Sequence, residues 1–113
     1  MTDRKSVLPG TLDLLILRAV SLGRLHGYGV LLRVMQITRN ELQIEQGALY
    51  PALYRLERQG LLAAEWGTSD NNRRAKFYQL TPDGRRRLQE ESDMWRAMVR
   101  VMSAALHARP GEA

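Results

Sequence analysis

Apolar residues recur at helical spacing in four stretches of the chain and alternate in strand fashion in two. The first helical stretch opens at Pro9, Gly10 and Thr11 and runs on as LDLLILRAVSLG. Leu12, Leu15, Ile16, Ala19 and Val20 form its core stripe, yet Leu14 and Leu17 are apolar as well. A short helix that is apolar nearly all round is expected to be covered on more than one side, so Leu14 and Leu17 are assigned to a contact with a second subunit. Gly23 ends this helix, and LHGYG leads into a second one over about residues 28–39. There Tyr28, Leu31, Leu32 and Met35 follow the 3.6 period, leaving Arg33 and Arg39 off the stripe.

Residues 40–45 form a short linker to QGALYPALYRLERQGLL, residues 46–62, the stretch that best repays attention. Leu49, Leu53 and Leu56 recur at i, i+4 and i+7 and face a core. Gly47, Pro51, Tyr54 and Arg58 fall on the opposite side with Arg55 beside them, a face better suited to contact than to plain hydration. Pro51 has no amide hydrogen and is tolerated near a helix start, here around Gly47, while Gly60 ends the helix at the C′ position. Two helices joined by a tight connection, the second with such an outer face, predict a helix-turn-helix.

The segment LLAAEWG then reads as a strand with Leu62, Ala64 and Trp66 on one side, and AKFYQL as its partner. Between them TSDNNRR is turn chemistry, in which Asp70, Asn71 and Asn72 bond locally to backbone. The alternation leaves open which of Phe77 and Tyr78 points inward. The tip of this hairpin carries Arg73 and Arg74, with Lys76 just beyond. A basic hairpin following a helix-turn-helix predicts a wing.

A last helix begins at Thr81, Pro82 and Asp83, respectively an N-cap, a first-position proline and a dipole-compatible acid. It is predicted over about residues 82–107, a length of about 39 Å. Its first half is polar; Leu88, Trp95, Met98, Met102 and Ala105 then follow at coiled-coil spacing, interrupted by Glu91. So long a helix cannot lie on so small a body along its whole length. Trp95, Met98 and Met102 are therefore assigned, with Leu14 and Leu17, to a homodimer interface. Residues 1–7 and 109–113 are read as polar ends outside the elements.

Composition adds the partner. Of 113 residues, fifteen are Arg and only two Lys, and the net charge is +5 with a pI near 10.2. Arginine suits bidentate phosphate and base-edge contacts, so the bias fits a nucleic acid. There is no cysteine, which removes disulfides, thiol catalysis and cysteine-ligated metal. His26 and His107 have no acidic partner at ligand spacing, and no nucleophile–base constellation exists, so neither an enzyme, a metal site nor a cofactor is expected. No signal peptide or apolar span is visible, and a cytoplasmic protein is expected.

Candidate double-stranded DNA contacts are Tyr50, Tyr54, Arg55 and Arg58 on the recognition helix and Arg73, Arg74 and Lys76 on the wing. Each has a plainer reading. Tyr50 can pack within the domain, Arg55 and Arg58 can pair with Glu57 or Glu45, and the wing can be a solvated hairpin tip. Arg85, Arg86 and Arg87 oppose the helix dipole; they suit either phosphate or pairing with Glu90 and Glu91.

The segments PGTLDLLIL, LHGYG, QGALYPALYRLERQGLL and NNRRAKFYQLTPDGRRRL, spread in order over residues 9–88, resemble PadR-type transcriptional regulators, and the single final helix resembles the smaller subfamily. The resemblance implies a homodimeric winged-helix DNA-binding protein, usually a repressor, whose first and last helices build the dimer. In multidrug-sensing members a tryptophan of the last helix stacks flat ligands between subunits, which implies a ligand role for Trp95 and Met98 beside the plainer one of filling the dimer core. The expectation is thus a mainly α fold with a small β-hairpin: a winged helix-turn-helix over residues 1–81 and a dimerising helix and tail over 82–113, in one compact unit. Its function is that of a regulator on an inverted-repeat operator, with a small-molecule effector of unknown identity. The competing expectation is a winged helix used for protein–protein interaction without DNA.

Overall fold

The computed structural model describes residues 5–6 and 10–111. Among them four helices surround a three-stranded antiparallel sheet, in the order β1 (Lys5–Ser6), α1 (Thr11–Ser21), β2 (Leu25–His26), α2 (Gly27–Ile37), β3 (Leu42–Gln43), α3 (Gln46–Arg58), β4 (Leu62–Thr68), β5 (Arg74–Leu80) and α4 (Pro82–Leu106). This is the winged helix-turn-helix with a long last helix that the sequence predicts. The sheet has the strand order β2-β5-β4, and β1 pairs in parallel with β3 as a separate ribbon. Part of the stretch read as a polar end is therefore paired backbone at Lys5–Ser6. Pro9, used above as a helix-start signal, and the last two residues of the tail lie outside the described residues.

α1 sits at the centre and touches α2, α3, α4 and β5. Ile16, Leu17, Ala19 and Val20 are buried, and Leu12 and Leu15 pack against the core from its edge. Leu17 was expected at a subunit interface, but it is 0% exposed within its own chain and has no surface to offer a second copy. The all-round apolarity of α1 is satisfied on that side by the chain's own sheet and helices. Leu14 differs: it is only partly covered and faces a groove beside α4.

α2 is rotated from the predicted phase. Its buried residues are Gly27, Val30, Leu31 and Val34, whereas Tyr28 and Leu32 are half exposed. The start is fixed by His26, whose Nδ1 accepts a hydrogen bond from the Gly29 amide at 3.0 Å. The end comes at Ile37, two residues before the predicted Arg39. Arg39 and Asn40 both take positive φ, 56° and 59°, and reverse the chain toward α3. The Asn40 amide reaches back to the Met35 carbonyl at 2.7 Å and the Arg39 amide to that of Gln36 at 3.1 Å, closing the helix as a Schellman turn.

α3 buries Leu49, Ala52, Leu53 and Leu56. Pro51 lies in its second turn and withholds one amide from the Gly47 carbonyl, on a side of the helix that is exposed to water. Gly60, at φ +77°, completes a second Schellman turn, with Leu61 N–H to the Leu56 carbonyl and Gly60 N–H to that of Glu57, both 3.0 Å.

In the hairpin, Leu62 lies opposite Leu80, Ala64 opposite Tyr78 and Trp66 opposite Lys76. Tyr78 is the inward aromatic and is buried beside Leu80. Phe77 faces the other way, edge-on to His26 and beneath the Arg24 guanidinium. Thr81 joins the hairpin to α4. Its hydroxyl donates to the Gly60 carbonyl at 2.7 Å and accepts from the Gly84 amide at 2.9 Å. Gly84 is buried against the Leu61 carbonyl, so near that a Cβ would stand 2.1 Å from that oxygen. The first turn of α4 is therefore tied to the end of α3.

Candidate nucleic-acid interface

The outer face of α3 presents Gly47, Pro51, Tyr54, Arg55 and Arg58 to solvent. Tyr54 is 58% exposed, and the Arg58 guanidinium stands over its ring at 5.7 Å. With Arg55 and Gln59 these two line a shallow depression of about 310 Å³. Among the described residues Arg58 makes no ion pair, so its charge is available to an anion. Arg55 reaches neither Glu45 nor Glu57: its guanidinium pairs with Asp13 on α1. Tyr50 is 44% exposed, but its ring lies on Gly27, where a Cβ would come within 2.6 Å of it. Its plainer reading, packing between α2 and α3, accounts for that geometry.

On the wing, Arg73 and Arg74 are exposed, and the Arg74 guanidinium stacks on the Trp66 ring at 4.7 Å. Lys76 does not project with them. Its ammonium lies 2.8 Å from a Glu57 carboxylate oxygen and over the Tyr78 ring. Expected as a DNA contact, Lys76 is instead a strut between the wing and the last turn of α3. The hydrogen bond that its ammonium donates to Glu57 raises the Lys76 pKa above the ordinary 10.5. Burial likewise raises the phenol of Tyr78 behind it.

The structure thus brings Tyr54, Arg55 and Arg58 together on one helix and sets Arg73 and Arg74 on a hairpin braced against it. Sequence reasoning missed the roles of Asp13 and Trp66 and offered Glu57 to Arg55 or Arg58, where the structure pairs it with Lys76. Asp13 and Glu57 act through partners far away in sequence, and the strand pattern gives Trp66 only as one of three residues on one side. The triplet on α4 is partly neutralised within its own helix, Arg86 on Asp83 at 3.1 Å and Arg87 on Glu91 at 3.7 Å. That favours its solvated reading over a phosphate site for these two.

A second region lies on the other side of α1. Gly10, Thr11, Leu14, Glu91, Met94, Trp95 and Met98 line an open groove of about 410 Å³ between α1 and α4. Beyond it, Val99, Val101, Met102 and Leu106 are also exposed. Among the described residues no three His, Asp or Glu side chains are grouped to hold a metal ion, and no helix is long and apolar enough to cross a membrane. His26 serves as a helix cap, and His107 bonds the Ser103 carbonyl one turn back.

Comparison with known proteins agrees with this arrangement. Residues 16–90 match the Transcriptional regulator PadR-like family, from within α1 to the first turns of α4. A PadR family transcriptional regulator of Eggerthella lenta is 32% identical, with a TM-score of 0.74, over 88% of this chain and 85% of that one. One from Clostridium difficile is 27% identical, with a TM-score of 0.75, over 86% and 99%. The Transcriptional regulator Rv3488 of Mycobacterium tuberculosis is 39% identical over 56 residues, which is 50% of this chain and 51% of that protein. Matching in order across helix-turn-helix, wing and joint, the chain belongs to the PadR-like family of transcriptional regulators, which are not enzymes.

Proposed function

We propose that the chain acts as a homodimeric, sequence-specific DNA-binding repressor. The observation that carries this reading is the pairing of two exposed basic surfaces, Tyr54 with Arg58 on α3 and Arg73 with Arg74 on the wing, at an angle braced by Lys76 and Glu57. α3 enters a major groove, Arg55 and Arg58 read base edges or phosphate, and the wing follows the adjacent backbone. Tyr50 stays at the edge of that contact, as a support for α3.

Trp95, Met98 and Met102 supply the dimer seam, with Leu14 beside them in the groove, since half-exposed apolar side chains at coiled-coil spacing call for a matching surface. A two-fold dimer reads an inverted repeat with half-sites about one turn apart, ~10 bp or a multiple. Bound there, it blocks a promoter. A small planar effector fits beside Trp95 and Met98, and its effect would be to change the spacing of the two recognition helices. Such a protein works in the cytoplasm.

The test is a gel shift with the DNA just upstream of the protein's own gene, at two salt concentrations. The expected result is a discrete complex that weakens steeply with salt, because phosphate neutralisation supplies much of the affinity. A symmetric footprint would add the dimer and its operator. Absence of any complex at low salt would overturn the reading in favour of a winged helix that binds protein.

A further inference from the structure

Trp66, 57% exposed on β4, is a large aromatic side chain to which neither the fold nor the α3 surface gives a role. Its face of the hairpin is fixed by register. Leu62, Ala64 and Trp66 alternate along β4, opposite Leu80, Tyr78 and Lys76 of β5. Arg74, two residues before Lys76, shares that side. The ladder runs outward from the core, with Leu62, Leu80 and Tyr78 buried. Lys76 comes next and is tied to Glu57 at the end of α3. This side of the wing therefore looks toward α3, and Trp66, opposite Lys76, has Arg74 diagonally beyond it on the outermost rung, opposite Thr68.

Across that diagonal the Arg74 guanidinium lies over the indole ring at 4.7 Å. Such contacts are favourable when a cation sits within about 6 Å of the ring centroid, and tryptophan is the best of the rings. An arginine free in solvent samples many rotamers and must give them up to grip a phosphate; one already laid on a ring gives up fewer. We propose that Trp66 is a positioning residue for DNA binding: it holds Arg74 on the α3-facing side of the wing, where it meets a phosphate of the strand flanking the groove that α3 enters. This rests on the DNA-binding reading above and adds to it the side of the wing that is used and the residue that aims it.

Fluorescence anisotropy with a labelled mixed-sequence duplex, titrated at several salt concentrations, tests it, since phosphate contacts do not depend on sequence. Arg74→Ala is expected to weaken binding and lower the salt slope by about 0.9 for each wing that loses its contact. Trp66→Leu is expected to weaken binding about two- to fivefold, the worth of an exposed cation–π contact, and Trp66→Phe, which keeps a ring, to recover most of it. Trp66→Leu combined with Arg74→Ala should bind no more weakly than Arg74→Ala alone.

Wild-type affinity in Trp66→Leu would overturn the proposal. So would a Trp66→Leu effect that persists in full without Arg74, or failure of Trp66→Phe to rescue, since either makes Trp66 a direct or purely structural contributor. Wild-type protein that shows no salt-dependent duplex binding fails the DNA reading itself, and is told apart from the other outcomes by that control.

Discussion

α3 and α4 each leave one face bare, and the two faces are unlike. α3 is set in place by its own chain: Leu49, Ala52, Leu53 and Leu56 are buried, and what it exposes is Tyr54, Arg55 and Arg58. α4 is anchored at one end only. Among the described residues Gly84 is its single fully buried position, Leu88 packs at the core's edge, and Met94, Trp95, Met98, Val99, Val101, Met102 and Leu106 stay exposed. A cationic, aromatic face on a rigid support suits a polyanion, which it can meet without refolding. An apolar face on an unsupported helix is unfinished until something equally apolar covers it. The contrast supports the proposal of different partners for the two helices, with the joint at Gly60, Thr81 and Gly84 as the connection between them.

The largest effect is expected at that joint. In Gly84→Ala the new methyl would stand 2.1 Å from the Leu61 carbonyl oxygen, a backbone atom that cannot swing aside. Overpacking of this kind costs about 1–3 kcal/mol or more. For a domain of this size that is a fall in Tm of about 10 °C, to be read by thermal circular dichroism. A wild-type melting curve would mean that α4 slides freely on the end of α3, and the two faces would not be coupled there. Next in size is the seam. Met98→Glu with Met102→Glu should raise the dimer dissociation constant by at least ~100-fold in sedimentation. The far-ultraviolet spectrum should still report a folded α1–wing body, whose core these residues do not touch. If a tight dimer survives both carboxylates, the exposed face of α4 is not where copies meet.

On α3 the corresponding change is Arg58→Ala. Loss of a guanidinium that has no ion-pair partner among the described residues should weaken DNA binding by about tenfold. If the contact is to phosphate, the salt slope should fall by about 1 per site. Unchanged binding across the salt series would remove Arg58 from the interface and shift the weight of the contact to the wing.

What was legible in the sequence follows the range of the interactions concerned. α3 could be read because its stripe, its Gly60 stop and its outer residues all lie within one short segment. The hairpin and the start of α4 announce themselves through local turn and cap chemistry. α2 could not be phased, because Tyr28, Leu31, Leu32, Met35 and Gly27, Val30, Leu31, Val34 both fit a helical period. The choice rests on a tertiary contact, the Tyr50 ring on Gly27. β2 is two residues long and exists through its pairing with Phe77 and Tyr78, so no periodicity could reveal it. Leu17 looks like interface surface in the sequence because the covering of α1 by β5 and α4 is also non-local. At the candidate site the arginines were found by type and spacing. The carboxylates that hold two of the predicted cations, Asp13 for Arg55 and Glu57 for Lys76, were settled by folding alone.

Asp13 offers the finest test of the contrast, because through it the α3 face is linked to the α1 side of the molecule. Asp13 adjoins Leu14, which lines the groove beside Trp95, while its carboxylate holds Arg55 across 42 residues of chain. Both side chains are partly exposed, so the pair contributes little to stability, about 0.2–1 kcal/mol. To a DNA phosphate, however, Asp13 is a competitor for the same guanidinium. Asp13→Asn should then tighten DNA binding by at most about fivefold, the equilibrium equivalent of the upper end of that energy. It should also steepen the salt slope by about 1 if Arg55 takes up a phosphate. In an Arg55→Ala background the same change should do nothing, which separates release of Arg55 from the general loss of a negative charge near DNA. Weaker binding in Asp13→Asn would reverse the assignment. Arg55 would then be a strut that sets α3 against α1, and the DNA-reading face would reduce to Tyr54 and Arg58 with the wing beside them.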